Sequence, residues 1–147
     1  MTAKRERTSP KAKQPDFVQE LRVRETHEPI AAFLGSHVVE LTPGYARISM
    51  KLRPEHLNFN GYIFGGIIMS LADQAFGYAS NSLALPSVAT QFNIHFISGP
   101  ALTDELTAEG RVVHNGRRAG ITEITVTNQA GKLIARATGT TIPLGES

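Results

Sequence analysis

Residues 65–81 read Gly65-Gly66-Ile67-Ile68-Met69-Ser70-Leu71-Ala72-Asp73-Gln74-Ala75-Phe76-Gly77-Tyr78-Ala79-Ser80-Asn81. Ile67, Ile68, Leu71, Ala72, Ala75, Phe76 and Ala79 recur at helical spacing, yet they cover more than one face of the helix they predict. A helix that is apolar on nearly every side is buried within its fold rather than laid on a surface. Its surroundings must then offer apolar faces in several directions, and the flanking sequence carries strand patterns that can do so.

Upstream, residues 45–53 alternate strictly. Ala46, Ile48, Met50 and Leu52 are expected to face the core, with Arg47, Ser49, Lys51 and Arg53 facing water. His37 to Leu41 is a second β-rich run, joined to the first by a Thr42-Pro43-Gly44 turn. Downstream of Pro86, the residues Val88, Thr90, Phe92, Ile94 and Phe96 alternate with Ala89, Gln91, Asn93, His95 and Ile97. After a break at Gly99-Pro100, strands are expected from about Leu106 to His114, from Ala119 to Thr127 and from Leu133 to Ile142. An Asn115-Gly116 hairpin turn and a turn over Gln129 to Lys132 would join them. Before all of these, Phe17, Leu21 and Val23, then Ile30, Ala31 and Phe33, are separated by Pro29 and predict one or two short helical turns ending at a Gly35 C-cap. The result is an α+β fold in which an antiparallel sheet wraps one long central helix.

At 147 residues the chain fits one domain, expected over residues 15–147. Its 41% hydrophobic and 19% charged content is that of an ordinary globular protein. No window approaches the roughly 18 consecutive apolar residues of a membrane span, and no apolar stretch follows the basic start. Neither a membrane partner nor a secretory signal is expected, and a cytoplasmic location is the default. The absence of cysteine excludes disulfides, thiolate metal sites and cysteine nucleophiles. Within the formal charge of +2, residues 1–14 are net +4 and the remainder is −2. The sequence pI near 9.2 therefore reflects a disordered basic tail over residues 1–14. The rest offers no basic stripe for nucleic acid.

The chemistry-bearing residues gather at the start and middle of the predicted helix. The first N–H groups of a helix have no intrahelical partner, here those of Phe64, Gly65 and Gly66. Glycine leaves such donors uncovered, and the helix dipole favours negative charge there, which suits an oxyanion. The same pair of glycines could instead serve only a tight loop or close packing. Asp73 lies among Leu71, Ala72, Ala75 and Phe76, and its helical neighbours Met69, Ser70, Phe76 and Gly77 include no cation. A carboxylate so placed is a candidate general base or nucleophile with a raised pKa. Alternatively, the helix turns it to a hydrated edge or it bonds a backbone amide.

Gly65 and Asp73 are eight residues apart, or about 12 Å along a helix. They cannot both act on one carbon within one chain. Gly66, Ser70, Gly77 and Ser80 are small and lie near the Asp73 face, so a second, antiparallel copy of the helix could approach and complete the site. A homodimer is therefore the expected minimal active unit. A homotetramer is the expected assembly, although the residues themselves leave dimer and tetramer open.

Asn58-x-x-Gly61-x-x-x-Gly65-Gly66 followed by Leu71-Ala72-Asp73 resembles the phenylacetate-degradation (PaaI-like) group of hotdog-fold acyl-CoA thioesterases, whose pattern is N-x-x-G-x-x-H-G-G and then L-A-D. The likeness runs from about Phe33 to Ile142 and takes in Gly35, Pro43-Gly44, Asn115-Gly116-Arg117-Arg118 and residues 131–135. The resemblance implies that Asp73 activates water or attacks the thioester, that the Gly65 N–H polarises the thioester carbonyl, and that Asn58 positions water or substrate. It further implies substrate contacts at Gly61, Phe64 and Gly66, and at Thr90, near which many members carry a serine or threonine, although Thr90 could equally be an alternating strand residue packed on the helix. The substrate would be an acyl-CoA, with no cofactor beyond the coenzyme A it carries and no metal. Phe64 departs from the pattern, which has histidine there, and neither His56 nor His95 is an obvious replacement. The alternatives are a non-catalytic acyl-CoA-binding or sensing domain and an enoyl-thioester hydratase or dehydratase. Retention of Asp73 and Asn58 speaks against the first, and the lack of a suitable histidine–carboxylate pair against the second. Phe59, Tyr62, Phe64 and Phe76 suit aromatic and medium aliphatic acyl groups equally.

Overall fold

Gly35 and Gly44, both with φ near +75°, turn the chain where the sequence places its first corners. The computed structural model describes residues 15–145, so the basic tail expected over residues 1–14 lies outside the described residues. Two helices, α1 (Phe17–Glu25) and α2 (Pro29–Leu34), precede strands β1 (Ser36–Thr42) and β2 (Tyr45–Lys51). A loop with one 3-10 turn leads into α3 (Gly65–Asn81). Strands β3 (Ser87–Phe96), β4 (Glu105–Asn115), β5 (Gly120–Asn128) and β6 (Leu133–Pro143) follow. All six strands form one antiparallel sheet in the order β1-β2-β4-β5-β6-β3, packed against the long helix, which is the hotdog arrangement.

The core lies between α3 and the inward face of the sheet. Ala46, Ile48 and Met50 of β2, with Leu106, Ala108, Ile124 and Val126 from β4 and β5, close over Leu71, Ala72, Ala75 and Phe76. Two glycines set how closely helix and sheet approach. A Cβ on Gly110 would sit 2.6 Å from the Ala75 carbonyl oxygen, and one on Gly139 2.5 Å from the Phe76 ring. Both positions exclude any side chain.

Four local expectations change. The helix is not wholly enclosed: Met69 and Asp73 are exposed, and Gly66, Ser70 and Gly77 beside them are only partly covered, because the sheet and α1 wrap all of α3 but this stripe. Ser49 does not face water but is 6% exposed, its hydroxyl 3.0 Å from that of Thr107 on the neighbouring strand. Such a pair satisfies both groups and lets the polar face of a sheet close over a small residue. The β4–β5 hairpin turns one residue later than expected. Asn115 pairs with Gly120 across a four-residue loop, and Gly116 lacks the positive φ that a two-residue type I′ turn needs. The alternation of β3 breaks at a bulge, since Ala89 pairs with Thr141 and Gln91 with Thr140, leaving Thr90 as the extra residue.

Candidate active site

The loop before α3 is a miniature hairpin. Leu57 and Ile63 form a bridge, the Asn58 N–H donates to the Tyr62 carbonyl at 2.7 Å, and the Gly61 N–H donates to the Asn58 carbonyl at 3.0 Å. Gly61 makes the turn with φ +75°, the left-handed region that favours glycine. The Asn58 side-chain oxygen accepts from the N–H groups of Asn60 (2.9 Å) and Tyr62 (3.1 Å). Asn58 thus builds the loop with its oxygen, while its amide nitrogen has no partner among the described residues.

This hairpin delivers Phe64 as the N-cap of α3 in an extended conformation. The Phe64 N–H has no partner within the helix, as expected, and donates instead to the His56 carbonyl at 2.8 Å. The unpartnered donors at the helix start are those of Gly65 and Gly66. His56 itself is buried, accepts from the Arg53 N–H through Nδ1 at 3.1 Å, and is held neutral by burial and by the Arg53 charge, which lower its pKa. It does not stand in for the histidine that Phe64 replaces.

Asp73 lies two turns further on, in a groove of about 760 Å³. Leu21, Pro29 and Ile30 of the N-terminal helices form one wall, Leu85 and Val88 the other, and α3 the floor. Asp73 is open to solvent at its tip, yet the groove crowds it enough that desolvation raises its pKa above the ordinary carboxylate value of 3.8. No cation among the described residues offsets that shift. The groove wall is fastened to the floor by Glu28, whose carboxylate accepts from the Tyr78 hydroxyl at 2.5 Å and from Gln74 Nε2 at 3.4 Å. Gln74 Oε1 in turn accepts from the Ser36 hydroxyl at 2.6 Å. Burial and the adjacent Glu28 carboxylate push the Tyr78 phenol up, so it stays a donor.

Asn58, Gly61, Phe64, Gly65 and Gly66 therefore gather at the N-terminal end of α3, whereas Asp73 faces the groove and does not meet them within one chain. Thr90 sits on the β3 bulge, exposed, its hydroxyl donating to the Thr140 carbonyl at 3.4 Å, and it does not line the Asp73 groove. The Glu28–Tyr78–Gln74 network escapes sequence reasoning. Its one available signal is a pair of polar residues, Gln74 and Tyr78, one turn apart on a largely apolar helix.

The model of the thioesterase superfamily matches residues 60–135. The chain belongs to the thioesterase superfamily. This thioesterase is 34% identical over 119 residues to the acyl-coenzyme A thioesterase PaaI of Escherichia coli K12, covering 81% of this chain and 85% of that one. The solved structure of the E. coli PaaI protein from the phenylacetic acid degradation operon superposes with a TM-score of 0.85 at 31% identity, over 90% of this chain and 96% of the other. A Streptococcus mutans UA159 protein solved with acetyl CoA bound aligns at 32% identity and a TM-score of 0.72, over 76% of this chain and 90% of its own. Membership makes this chain a thioester hydrolase of the PaaI-like, hotdog type. The matched span holds Gly65, Gly66 and Asp73 but neither Asn58 nor the groove wall from α1 and α2. No helix among the described residues is long and apolar enough to cross a membrane.

Proposed function

We propose that this thioesterase hydrolyses acyl-CoA thioesters to a free acid and coenzyme A, with Asp73 as its reacting carboxylate and the Gly65 N–H as its oxyanion donor. The observation that carries the reading is the Asp73 carboxylate itself: desolvated, unpaired among the described residues, and opening into a groove of about 760 Å³, roomy enough for an acyl group. As general base, Asp73 takes a proton from water while the water oxygen bonds to the thioester carbon. Charge builds on the carbonyl oxygen, where an N–H at a helix start stabilises it. The C–S bond then breaks and the coenzyme A thiolate takes up the proton. Acting as nucleophile, the same carboxylate would form an acyl anhydride that water cleaves to the same products.

The proposed site is shared between two chains. The open stripe of Gly66, Ser70, Asp73 and Gly77 suits an antiparallel second helix, which would bring the Gly65 of one chain to the Asp73 of the other. Asn58 contributes through its free Nδ2, since its oxygen is held in the loop. The names of the relatives, acyl-coenzyme A thioesterase and a protein solved with acetyl CoA, support coenzyme A as the thiol.

The test is release of free thiol from acetyl-CoA, hexanoyl-CoA and phenylacetyl-CoA. Turnover of at least one of them is expected. Saturable binding of all three without thiol release would mark a binding domain instead.

A further inference from the structure

We propose that Phe96, at the end of β3, is a positioning residue for the oxyanion donors, clamping the Gly65-Gly66 turn against the ring of Phe64. The inference rests on the proposed role of the Gly65 N–H. It starts from what stands over each glycine. A Cβ built on Gly65 would lie 3.2 Å from Cζ of the Phe96 ring, with two further ring carbons at 3.5 and 3.6 Å. A Cβ built on Gly66 would lie 2.5 Å from Cε1 of Phe64. Each glycine thus has a phenyl ring in the space a side chain would take, one from the strand and one from the N-cap.

The contact matters because little else among the described residues holds this end of the helix. Phe64 makes no side-chain cap, so no hydroxyl or carboxylate ties down the first turn. The turn is held by the Phe64 N–H bond to His56, by the Ser70 hydroxyl donating to the Gly66 carbonyl at 2.6 Å, and by the two rings. Phe96 is 53% exposed in the single chain and Phe64 56%, so neither ring is there as core filling. Apolar flanks on both sides of two free N–H groups also keep water from competing for them, which strengthens a bond to a developing oxyanion. Phe64, having no donor, can serve the site only through such a surface. Phe96 is its counterpart across the glycines, supplied from a different element.

The experiment measures thiol release from the best acyl-CoA of the panel in four variants, each with a melting temperature. Phe96→Ala should lower kcat by on the order of tenfold with KM moving less than about twofold, because a loosened donor acts in the transition state more than in binding. Phe96→Met keeps an apolar side chain of similar reach, adds no group at the Cζ position that faces Gly65, and should retain most of the activity. Gly65→Ala should also lose kcat, and Gly65→Ala combined with Phe96→Ala should recover part of it, since the added methyl then occupies the space the ring vacates. The rescue remains readable even where Phe96→Ala alone lowers stability. An unimpaired Phe96→Ala, or a double variant no better than Gly65→Ala, overturns the proposal while leaving the functional reading intact. A wild-type chain that releases no thiol from any of the three acyl-CoAs overturns that reading, and the proposal with it.

Discussion

Gly65 and Asp73 share helix α3, the first with its N–H unpartnered at the N-terminal end, the second in the groove eight residues on. At 1.5 Å per residue the separation is about 12 Å. An oxyanion donor must lie about 3 Å from the oxygen it stabilises, and the attacking group must be within bonding reach of the same carbon. On the proposed roles, one chain would therefore carry halves of two sites. The small residues along this face, with open space where a Cβ on Gly77 would stand beyond Asp73, form the surface on which a second helix could bring the halves together.

A mixing experiment follows. Asp73→Asn chains and Gly65→Val chains should each be nearly inactive alone. Unfolded together and refolded at equal amounts, they should regain about a quarter of wild-type activity, since half the dimers are hybrids and each hybrid has one intact site of two. Mixtures as inactive as their components would place both groups in one chain's site.

The raised pKa of Asp73 has two consequences with fixed signs. As a base it must be ionised, so the acid limb of kcat/KM should lie above the ordinary carboxylate value of 3.8, with activity falling as pH drops through it. For stability the direction is opposite. Between 3.8 and the raised value the folded chain holds a proton that the unfolded chain has lost, so folding weakens as pH rises through that window. Asp73→Asn should therefore melt higher than wild type at pH 7, with the difference gone below about pH 4. Thermal melts across pH check it, and an Asn variant that melts lower at pH 7 would show a carboxylate that the fold uses structurally.

The side chain of Asn58 can be split into two functions. Its oxygen holds the loop and its free nitrogen is assigned to the site. Asn58→Asp keeps an acceptor for the Asn60 and Tyr62 N–H groups but loses the donor, so it should lower kcat and leave the melting temperature close to wild type. Asn58→Ala loses both, leaving two loop donors without their side-chain acceptor, and should also melt lower, by an amount corresponding to about 1 kcal/mol. Equal melting of both variants would remove the structural half of this assignment. Wild-type turnover in Asn58→Asp would remove the other half.

The parts of the fold that were readable in advance are those where one physical signal dominates. Helix α3 runs from Gly65 to Asn81, as its apolar spacing and opening glycines indicate, and β2 follows the alternation of Ala46, Ile48 and Met50. Where tertiary pairing decides, the signal fails. Asn115-Gly116 has turn propensity, but Asn115 pairs with Gly120 and joins the strand, so the four-residue loop starts one residue later. Ser49 is polar in an outward position, and only its neighbour across the strands explains its burial. The site divides in the same way. Asp73 and the glycines are visible as anomalies in a helix. Glu28 and Phe96 gain their places only by what the fold sets beside them, Tyr78 in one case and Gly65 in the other.

The central claim is that Asp73 performs the chemistry. The direct measurement is the single-turnover rate of thiol release by Asp73→Asn, under conditions where the variant is folded and saturated with an acyl-CoA that wild type hydrolyses. Loss of the base predicts a rate lower by about 10²–10⁴-fold, with acyl-CoA binding retained. Release at the wild-type rate from the Asn variant would contradict the account.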